Sequence, residues 1–199
     1  AALLGAGTAL QMIVFIVASA ASLLVLRPIA RRHLMTPAKI RTGTGATGDR
    51  LKSLTKDMTE VWGTVPSGAE QVGQAIADLN TRLGLTGEPL QQMATQMLNL
   101  ARMAGSDVAP VIAAATRLFG DWSVATADQS KSLDYLFRAS QATGIGIQRL
   151  MEITVEFGAP MRALGFNLEQ SAALMGKWEK EGVNMETVLS GLRFALGNF

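Results

Sequence analysis

The sequence lacks several of the side chains on which common protein chemistry depends. Its 199 residues include no cysteine and one histidine, His33. The absence of cysteine excludes disulfides, thiolate nucleophiles and cysteine-ligated zinc sites. A Ser-His-Asp triad or a histidine-rich metal site would have to use His33, which stands beside Arg31 and Arg32. We expect this imidazole to be solvated at an interface rather than to act as a ligand.

Catalytic motifs are scarce as well. The sequence contains no HExxH, GxSxG, Walker lysine or kinase signature. Residues 43–48 read GTGATG and match the dinucleotide-binding pattern G-x-G-x-x-G. That pattern needs a strand before it and an acidic residue at a strand end about 20 residues later. Pro37 interrupts the preceding segment and Glu70 falls in a predicted helix, so we predict a flexible hinge before a helix that starts near Asp49.

The remaining candidates for chemistry have simpler interpretations. Glu152 and Glu156 form an i, i+4 carboxylate pair, but a di-metal site needs more ligands than two carboxylates. A charged cluster near a helix end is expected to be a solvated last turn: Glu179, Lys180 and Glu181. The three tryptophans are expected to anchor packing rather than to bind a ligand: Trp62, Trp122 and Trp178. The sequence therefore predicts no catalytic, cofactor-binding or metal-binding residue, and a protein that is not an enzyme.

Charge is unevenly distributed along the chain, whose formal net charge is +2. Residues 1–50 contain six basic residues and one acidic residue, whereas residues 51–199 contain 12 basic and 15 acidic residues. A nucleic-acid-binding domain should present a basic face in its folded part. The acidic balance of residues 51–199 therefore predicts no specific nucleic-acid partner.

The N-terminal segment is apolar. Residues 1–26 carry no charged side chain, and Arg27, Arg31 and Arg32 follow directly. A run of about 20 apolar residues is long enough to cross the hydrocarbon core as a helix. Basic flanks stay on the cytoplasmic side, whereas signal peptides carry their charges before the apolar core. We predict a transmembrane helix with a basic cytoplasmic flank over residues 1–35, N-terminus out and C-terminus in; a buried helix of a soluble protein is the alternative.

The apolar segment also resembles a known family. VFIVASAASLLVLRPIARRHL, followed by KIRTGT, is similar to the last membrane helix and exit linker of NfeD-like membrane proteins. The resemblance covers about residues 1–43, because the small β-barrel that follows the linker in that family does not follow here. It implies an alternative function for the chain, as a bacterial membrane-anchored helical protein without catalytic activity.

Beyond Asp49 the sequence shows helical periodicity and almost no strand pattern. One apolar stripe with the spacing i, i+3, i+4, i+7, i+8, i+11 predicts an amphipathic helix: Leu90, Met93, Ala94, Met97, Leu98 and Ala101. Thr86 is expected to cap the start of this helix, and Gly105 to take the left-handed conformation after its end.

Breaks of the same kind recur along the rest of the chain. They fall at glycines: Gly84, Gly105, Gly120, Gly144, Gly165 and Gly182. Thr126 with Gln129, and Asn167 with Gln170, have the spacing of capping boxes. Short helices that fold back on one another in a repeated pattern are expected. The predicted fold class is all-α, with one N-terminal transmembrane helix followed by an array of short packed helices.

Four stretches beyond the glycine-rich segment share one pattern of short helices and glycine breaks: DLNTRLGLTGEPLQQMATQML, VAPVIAAATRLFGDWSV, SLDYLFRASQATGIGIQRLMEI and ALGFNLEQSAALMGKWEKEGVNMETVLSGLRFAL. Through these stretches, residues 44–199 resemble the conserved domain of phage tail tape-measure proteins. The resemblance implies a structural protein of the virion that sets the length of the tail tube during assembly and leaves the tail at infection. It also implies contacts with the tail-tube protein, tail assembly chaperones and tail-tip proteins, and it carries over no catalytic residue. We further expect self-association, and membrane contact through residues 1–26.

The two resemblances meet near GTGATG. We therefore predict that the chain has three parts. These are the transmembrane segment 1–35, a glycine-rich linker over residues 36–49 and the tape-measure domain 50–199. The chain begins with alanine rather than methionine, so we expect a fragment or a processed product. A fusion of a bacterial gene with a prophage gene, or a misassembled gene fragment, would explain the junction. An uninterrupted phage gene with its own membrane segment is the alternative.

Overall fold

The computed structural model describes residues 37–197, and all of the regular secondary structure in these residues is helical. This confirms the all-α prediction. The first helix, α1, comprises residues 37–44. The helices that follow are α2 (Gly48–Thr64), α3 (Ala69–Leu83), α4 (Gly87–Ala104), α5 (Val108–Asp121), α6 (Thr126–Thr143), α7 (Ile147–Glu156), α8 (Gly158–Ala163), α9 (Leu168–Lys180) and α10 (Met185–Gly197).

The predicted transmembrane helix lies outside the described residues, as does His33. Among residues 37–197, no helix combines the length and the apolar character that crossing a membrane requires. The membrane segment over residues 1–26 therefore stays a prediction from the sequence.

The helices form two rows that pack against each other. The even row consists of α2, α4, α6 and α9, each of which contacts the next. The odd row consists of α1, α3, α5 and α7, which also contact one another in that order. Consecutive helices pass between the rows, so that α3 contacts both α2 and α4. Helix α8 packs against α7 and α9, and α10 packs against α9.

Neighbouring helices within a row run parallel. Tyr135 of α6 donates a hydrogen bond to the carbonyl of Glu169, early in α9. Further along both helices, Thr143 at the end of α6 faces Gly176 of α9. Hydrogen bonds that involve side chains of row neighbours join residues 30 to 38 positions apart. The chain therefore returns to each row by way of the other, which is the repeated folding back that the sequence predicted.

The predicted apolar stripe of α4 faces the interior of the array. All six of its residues are buried, and Leu90, Ala94 and Met97 are 0% exposed. Helix α4 lies against α2, α3 and α5 and also contacts α6, so its stripe is covered from several sides. Burying each large apolar side chain contributes about 1.5–3 kcal/mol. Because helices of this length are marginal alone in water, these contacts supply most of the stability of α4.

The helix ends follow the predicted glycines, with one exception. The residues after α3, α4 and α6 are left-handed glycines: Gly84, Gly105 and Gly144. Gly120, in contrast, lies inside α5. Ser123 takes the left-handed conformation after that helix, with a φ of 50°. Helix α5 continues past Gly120 because the apolar Leu118 and Phe119 bury its last turn in the core.

One of the two predicted capping boxes forms. Asn167 Oδ1 accepts a hydrogen bond from the Gln170 N–H at 2.8 Å, and Gln170 Oε1 accepts one from the Asn167 N–H at 3.1 Å. The box predicted at Thr126 and Gln129 was wrong. Thr126 already belongs to α6, whose capping residue is Ala125, and the Gln129 side chain is buried instead of reaching back to the helix start.

The GTGATG stretch, residues 43–48, was expected to be a flexible hinge before a helix; it comprises the end of α1, a turn at residues 45–47 and the first residue of α2. Gly43 lies so close to α3 that an added Cβ would come within 2.9 Å of Ala77 Cβ. Gly45 and Gly48 have left-handed φ values of 65° and 57°, which side chains disfavour. Gly43 therefore allows close packing against α3, and Gly45 and Gly48 adopt the left-handed conformations of the turn before α2.

Helix α1 belongs to the same core as the helices after it. Ile40 is 0% exposed and Ala46 is 3% exposed. The Lys39 Nζ atom lies 2.9 Å from Glu70 Oε1 on α3, and this hydrogen bond lowers the pKa of the Glu70 carboxyl. Helix α1, which falls in the predicted linker over residues 36–49, is thus packed against α3.

Candidate functional site

Two carboxylates that the sequence singled out lie on the wall of a surface groove. The groove has a volume of about 570 Å³ and runs between α5 and α7, two parallel members of the odd row. Its α7 wall carries Glu152 and Glu156 together with polar and apolar neighbours: Gln148, Arg149 and Val155. Its α5 wall carries three short side chains and one long cationic one: Pro110, Ala113, Ala114 and Arg117. We call this feature the α5/α7 groove.

The groove follows from the way α5 distributes its side chains. Its branched and aromatic residues face inward, and Val111, Ile112 and Leu118 are 0% exposed. The outer face is left with alanine and proline, which are too short to fill the space beside the longer side chains of α7. The sequence pattern of α5 thus creates both a tight inner packing face and an indented outer one.

Arg149, on the α7 wall, already forms an ion pair with Glu179. Its Nε atom donates a hydrogen bond to Glu179 Oε1 of α9 at 2.8 Å. This bond raises the pKa of the Arg149 guanidinium against the opposing effect of burial, and Glu156 and Glu152 add weaker attraction. Glu179 lies in the last turn of α9, as expected from the sequence, and it also bridges α9 to α7. The pair is partly exposed, so it contributes about 0–1 kcal/mol to stability.

The other charges of the groove are separated by its two walls. Arg117 on α5 forms no ion pair within the described part of the chain, and neither does Glu156 on α7. Glu152 accepts a hydrogen bond from the neutral side-chain amide of Gln148 at 2.9 Å and forms no ion pair among the described residues. The α5 wall is therefore cationic at Arg117, and the α7 wall is anionic at Glu152 and Glu156.

A second groove, of about 690 Å³, lies on the even row between α2, α4 and the start of α6. Among the described residues no lysine or arginine lines it; its lining residues are Glu60, Val61, Thr64, Glu88, Gln91, Gln92, Thr95, Gln96, Asn99 and Ser130. Gln96 donates hydrogen bonds to the Ser130 carbonyl and to Asp134 Oδ1, which ties α4 to α6. We call this feature the α2/α4 groove.

Asp57 ties α2 to the start of α4 beneath that groove. Its carboxylate is 3% exposed and accepts hydrogen bonds from the Gly87 N–H at 3.1 Å and the Gln91 side-chain amide at 2.7 Å. Thr86, which the sequence predicted as the cap of α4, makes no side-chain capping bond. An aspartate on a neighbouring helix performs that task, and no local sequence signal indicates it.

The tryptophans occupy three different environments. Trp122 fulfils the expected packing role: its Nε1–H donates to the Thr154 carbonyl at 3.1 Å, and the Arg162 guanidinium lies 4.9 Å from its ring centroid. Trp178 packs partly buried against the core, as predicted. Trp62 is 36% exposed, so its expected packing role stays a prediction.

The grooves present charges, amides and short apolar side chains on open surfaces. These are the groups through which proteins contact other polypeptides, with paired charges and hydrogen bonds around an apolar centre. Among the residues that the structure describes, no group of three or more histidine, aspartate or glutamate side chains could hold a metal ion. Sequence reasoning identified Glu152 and Glu156, but it missed Arg117 and Asp57, whose significance depends on the helix beside them.

Comparison with curated proteins and with solved structures gives no match to the chain. Comparison with protein families gives a match to the phage-related minor tail protein family over residues 50–199. That range contains nearly all of the two-row array, from the first turn of α2 through α10. The chain therefore belongs to the phage-related minor tail protein family and is a structural component of a phage tail.

Proposed function

We propose that this tail protein is of the tape-measure type, which sets the length of the tail tube during virion assembly and leaves the tail at infection. The family match over residues 50–199 carries the proposal. The all-helical chain agrees with it, as does the resemblance of residues 44–199 to tape-measure proteins.

The described domain itself would not measure length. An extended helix advances about 1.5 Å per residue, so a helical ruler converts residue number directly into length. In the two-row array, hydrogen bonds join residues 30 to 38 positions apart, so the chain returns on itself instead of advancing. We propose that the measuring stretch lies elsewhere in a longer parent protein, to which this array is attached as a folded unit.

Deletions in the parent gene test this function. Deletions of increasing length outside residues 37–199 should shorten the tails in proportion, as measured by electron microscopy of purified virions. As a control, deletion of residues 69–104 (α3 and α4) should prevent tail assembly, because it removes the buried stripe of α4 from the core. Tails of unchanged length across the outer deletion series would contradict the proposal.

In this role the chain would contact the tail-tube protein, tail assembly chaperones and tail-tip proteins, and it would act in several copies. It would need no cofactor and no specific nucleic acid. Co-purification of the tagged chain with each of these tail proteins from infected cells is the expected result. Recovery of the chain without any of them would contradict these partners.

We also propose that residues 1–26 associate with a membrane, with the N-terminus on the outer side. The uncharged run followed by three arginines supports it. The alternative function, a bacterial membrane-anchored helical protein of NfeD-like origin, rests on the same residues. Sequencing across codons 35–55 from a single genomic clone would distinguish a fused gene from an uninterrupted phage gene.

A further inference from the structure

The α5/α7 groove is complementary to itself, and we propose that a second copy of this chain docks there about a two-fold axis that runs along the groove. Such an axis lays the α5 wall of each copy against the α7 wall of the other. The proposal concerns this groove alone and does not depend on the tape-measure role.

Charge complementarity carries the first step. Arg117 stands on the α5 wall without an ion pair to any residue that the structure describes, and Glu152 and Glu156 stand on the opposite wall. Within one copy the groove keeps these charges apart. A two-fold contact repeats every interaction, so Arg117 of each copy meets Glu152 of the other and the ion pair forms twice. A guanidinium and a carboxylate make one of the strongest charge-assisted hydrogen bonds available to side chains.

The relative height of the two helices agrees with this pairing. The hydrogen bond from Trp122 Nε1–H to the Thr154 carbonyl places these two residues at one level. At about 1.5 Å per residue, Arg117 lies roughly 8 Å before that level and Glu152 roughly 3 Å before it. An axis parallel to the helices preserves these levels, so about 5 Å separates the two residues along the axis in the dimer. That separation is within the reach of an arginine side chain.

The short side chains of α5 also allow the two copies to pack closely. Ala113 and Ala114 are half-buried and short, so a facing helix can approach α5 at the 8–10 Å axis separation typical of packed helices. Arg149 donates its hydrogen bond to Glu179 of α9 and is only weakly attracted to Glu152, which leaves the Glu152 carboxylate available to a second guanidinium. The α2/α4 groove lacks this complementarity within residues 37–197, because none of the lysines or arginines described there lines it.

The absence of cysteine allows a direct test in the full chain. Ala114 on α5 and Gln148 on α7 lie within about 3 Å of one level, by the same rise per residue. Ala114→Cys protein and Gln148→Cys protein, carrying tags of different size and mixed under copper-phenanthroline oxidation in detergent, should form a disulfide-linked heterodimer. Its yield should exceed at least threefold the yield of homodimer from either variant alone, as measured on a non-reducing gel.

Charge reversal identifies the groups responsible. Arg117→Glu in both cysteine variants should reduce the heterodimer yield to the homodimer background, and adding Glu152→Arg should restore it. The matched control is Lys131→Glu, an exposed charge on α6 in the even row, which should leave the yield unchanged. Circular dichroism of each variant should show the same helical content.

Two results would overturn the proposal. If the yield of heterodimer in the mixture is no greater than the yield of homodimer from either variant alone, the α5 wall of one copy does not contact the α7 wall of another. A yield that survives Arg117→Glu, or that Glu152→Arg fails to restore, means that Arg117 and Glu152 do not pair across the contact.

Discussion

The carboxylate of Asp57 is 3% exposed, and its two bonded donors both belong to the first turns of α4. A buried ionised group is costly unless hydrogen bonds replace its water. Here a backbone N–H and a side-chain amide do so, and the positive end of the α4 dipole lies beside the charge. The same arrangement satisfies the Gly87 N–H, which would otherwise lack an acceptor at the helix start. The Asp57 side chain thus stabilises the start of α4, and the hydrogen bonds from α4 offset the cost of burying its carboxylate.

Removal of this carboxylate should be costly. Asp57→Ala leaves the Gly87 N–H and the Gln91 amide without their acceptor, and we expect the free energy of unfolding to fall by about 1–3 kcal/mol. Asp57→Asn keeps one acceptor oxygen and should lose less. Urea unfolding followed by circular dichroism measures both. The control is Asp49→Ala, an exposed aspartate in the first turn of α2 paired with the exposed Lys52, which should change stability by less than about 1 kcal/mol. Equal effects of the two alanine variants would contradict this account.

At the residue scale, sequence reasoning succeeded where the partners are close in sequence. The box of Asn167 and Gln170 could be predicted because both of its hydrogen bonds span three residues. Asp57 could not be predicted, because its acceptor role depends on α4, which begins 30 residues later. Gln129 shows the converse failure. Its spacing fitted a local box, but the packing of α6 buried the side chain instead.

At the scale of elements, α1 extends the folded unit to residue 37, ahead of the start of the family match at residue 50. The glycines of GTGATG predicted a linker, and the family match begins at residue 50. The structure nevertheless buries Ile40 and Ala46 in the core, and Thr81 of α3 donates a hydrogen bond to the Gly43 carbonyl at 3.1 Å. Glycine is ambiguous in a sequence, because the same residue allows a flexible hinge or a close approach of two backbones. Only the position of α3 distinguishes the two.

A comparison of two shortened chains tests this boundary. The chain that starts at residue 37 should be more stable than the chain that starts at residue 50, because the shorter one exposes the surface that Ile40 and Ala46 cover. Burial of the isoleucine side chain alone corresponds to about 1.5–3 kcal/mol. Thermal unfolding of both chains measures the difference, with Arg41→Ala in the longer chain as an exposed control. Equal melting temperatures would show that α1 adds nothing to the fold.

The apolar stripe of α4 was the most predictable element, because periodicity alone specifies which face is buried. The neighbours that cover the stripe could not be predicted. Helix α4 contacts α2, α3, α5 and α6, and nothing in its own sequence says which of them lies on which side. The α5/α7 groove has the same origin: alanines on the outer face of α5 become a groove wall only beside the longer side chains of α7.

For the molecule as a whole, the two-row array has consequences that do not depend on any single contact. In arrays of stacked helices, stability is approximately a sum over neighbouring elements. Elements with several neighbours should therefore open only in large unfolding events, and elements with few neighbours should open locally. Helix α5 contacts α3, α4 and α7, whereas α10 packs against α9.

Native-state hydrogen exchange should resolve this gradient. We expect the amides of α5 to exchange at least a hundredfold more slowly than those of α10, because opening α5 disrupts three interfaces while opening α10 disrupts chiefly one. Mass spectrometry of peptides covering residues 108–121 and 185–197 measures both rates in one sample. The two ranges are both helical and have similar lengths, so a difference in intrinsic helix propensity would not produce a hundredfold difference in exchange rate. Similar protection in both peptides would mean that the array unfolds as one cooperative unit, and the neighbour-by-neighbour description of its stability would then be wrong.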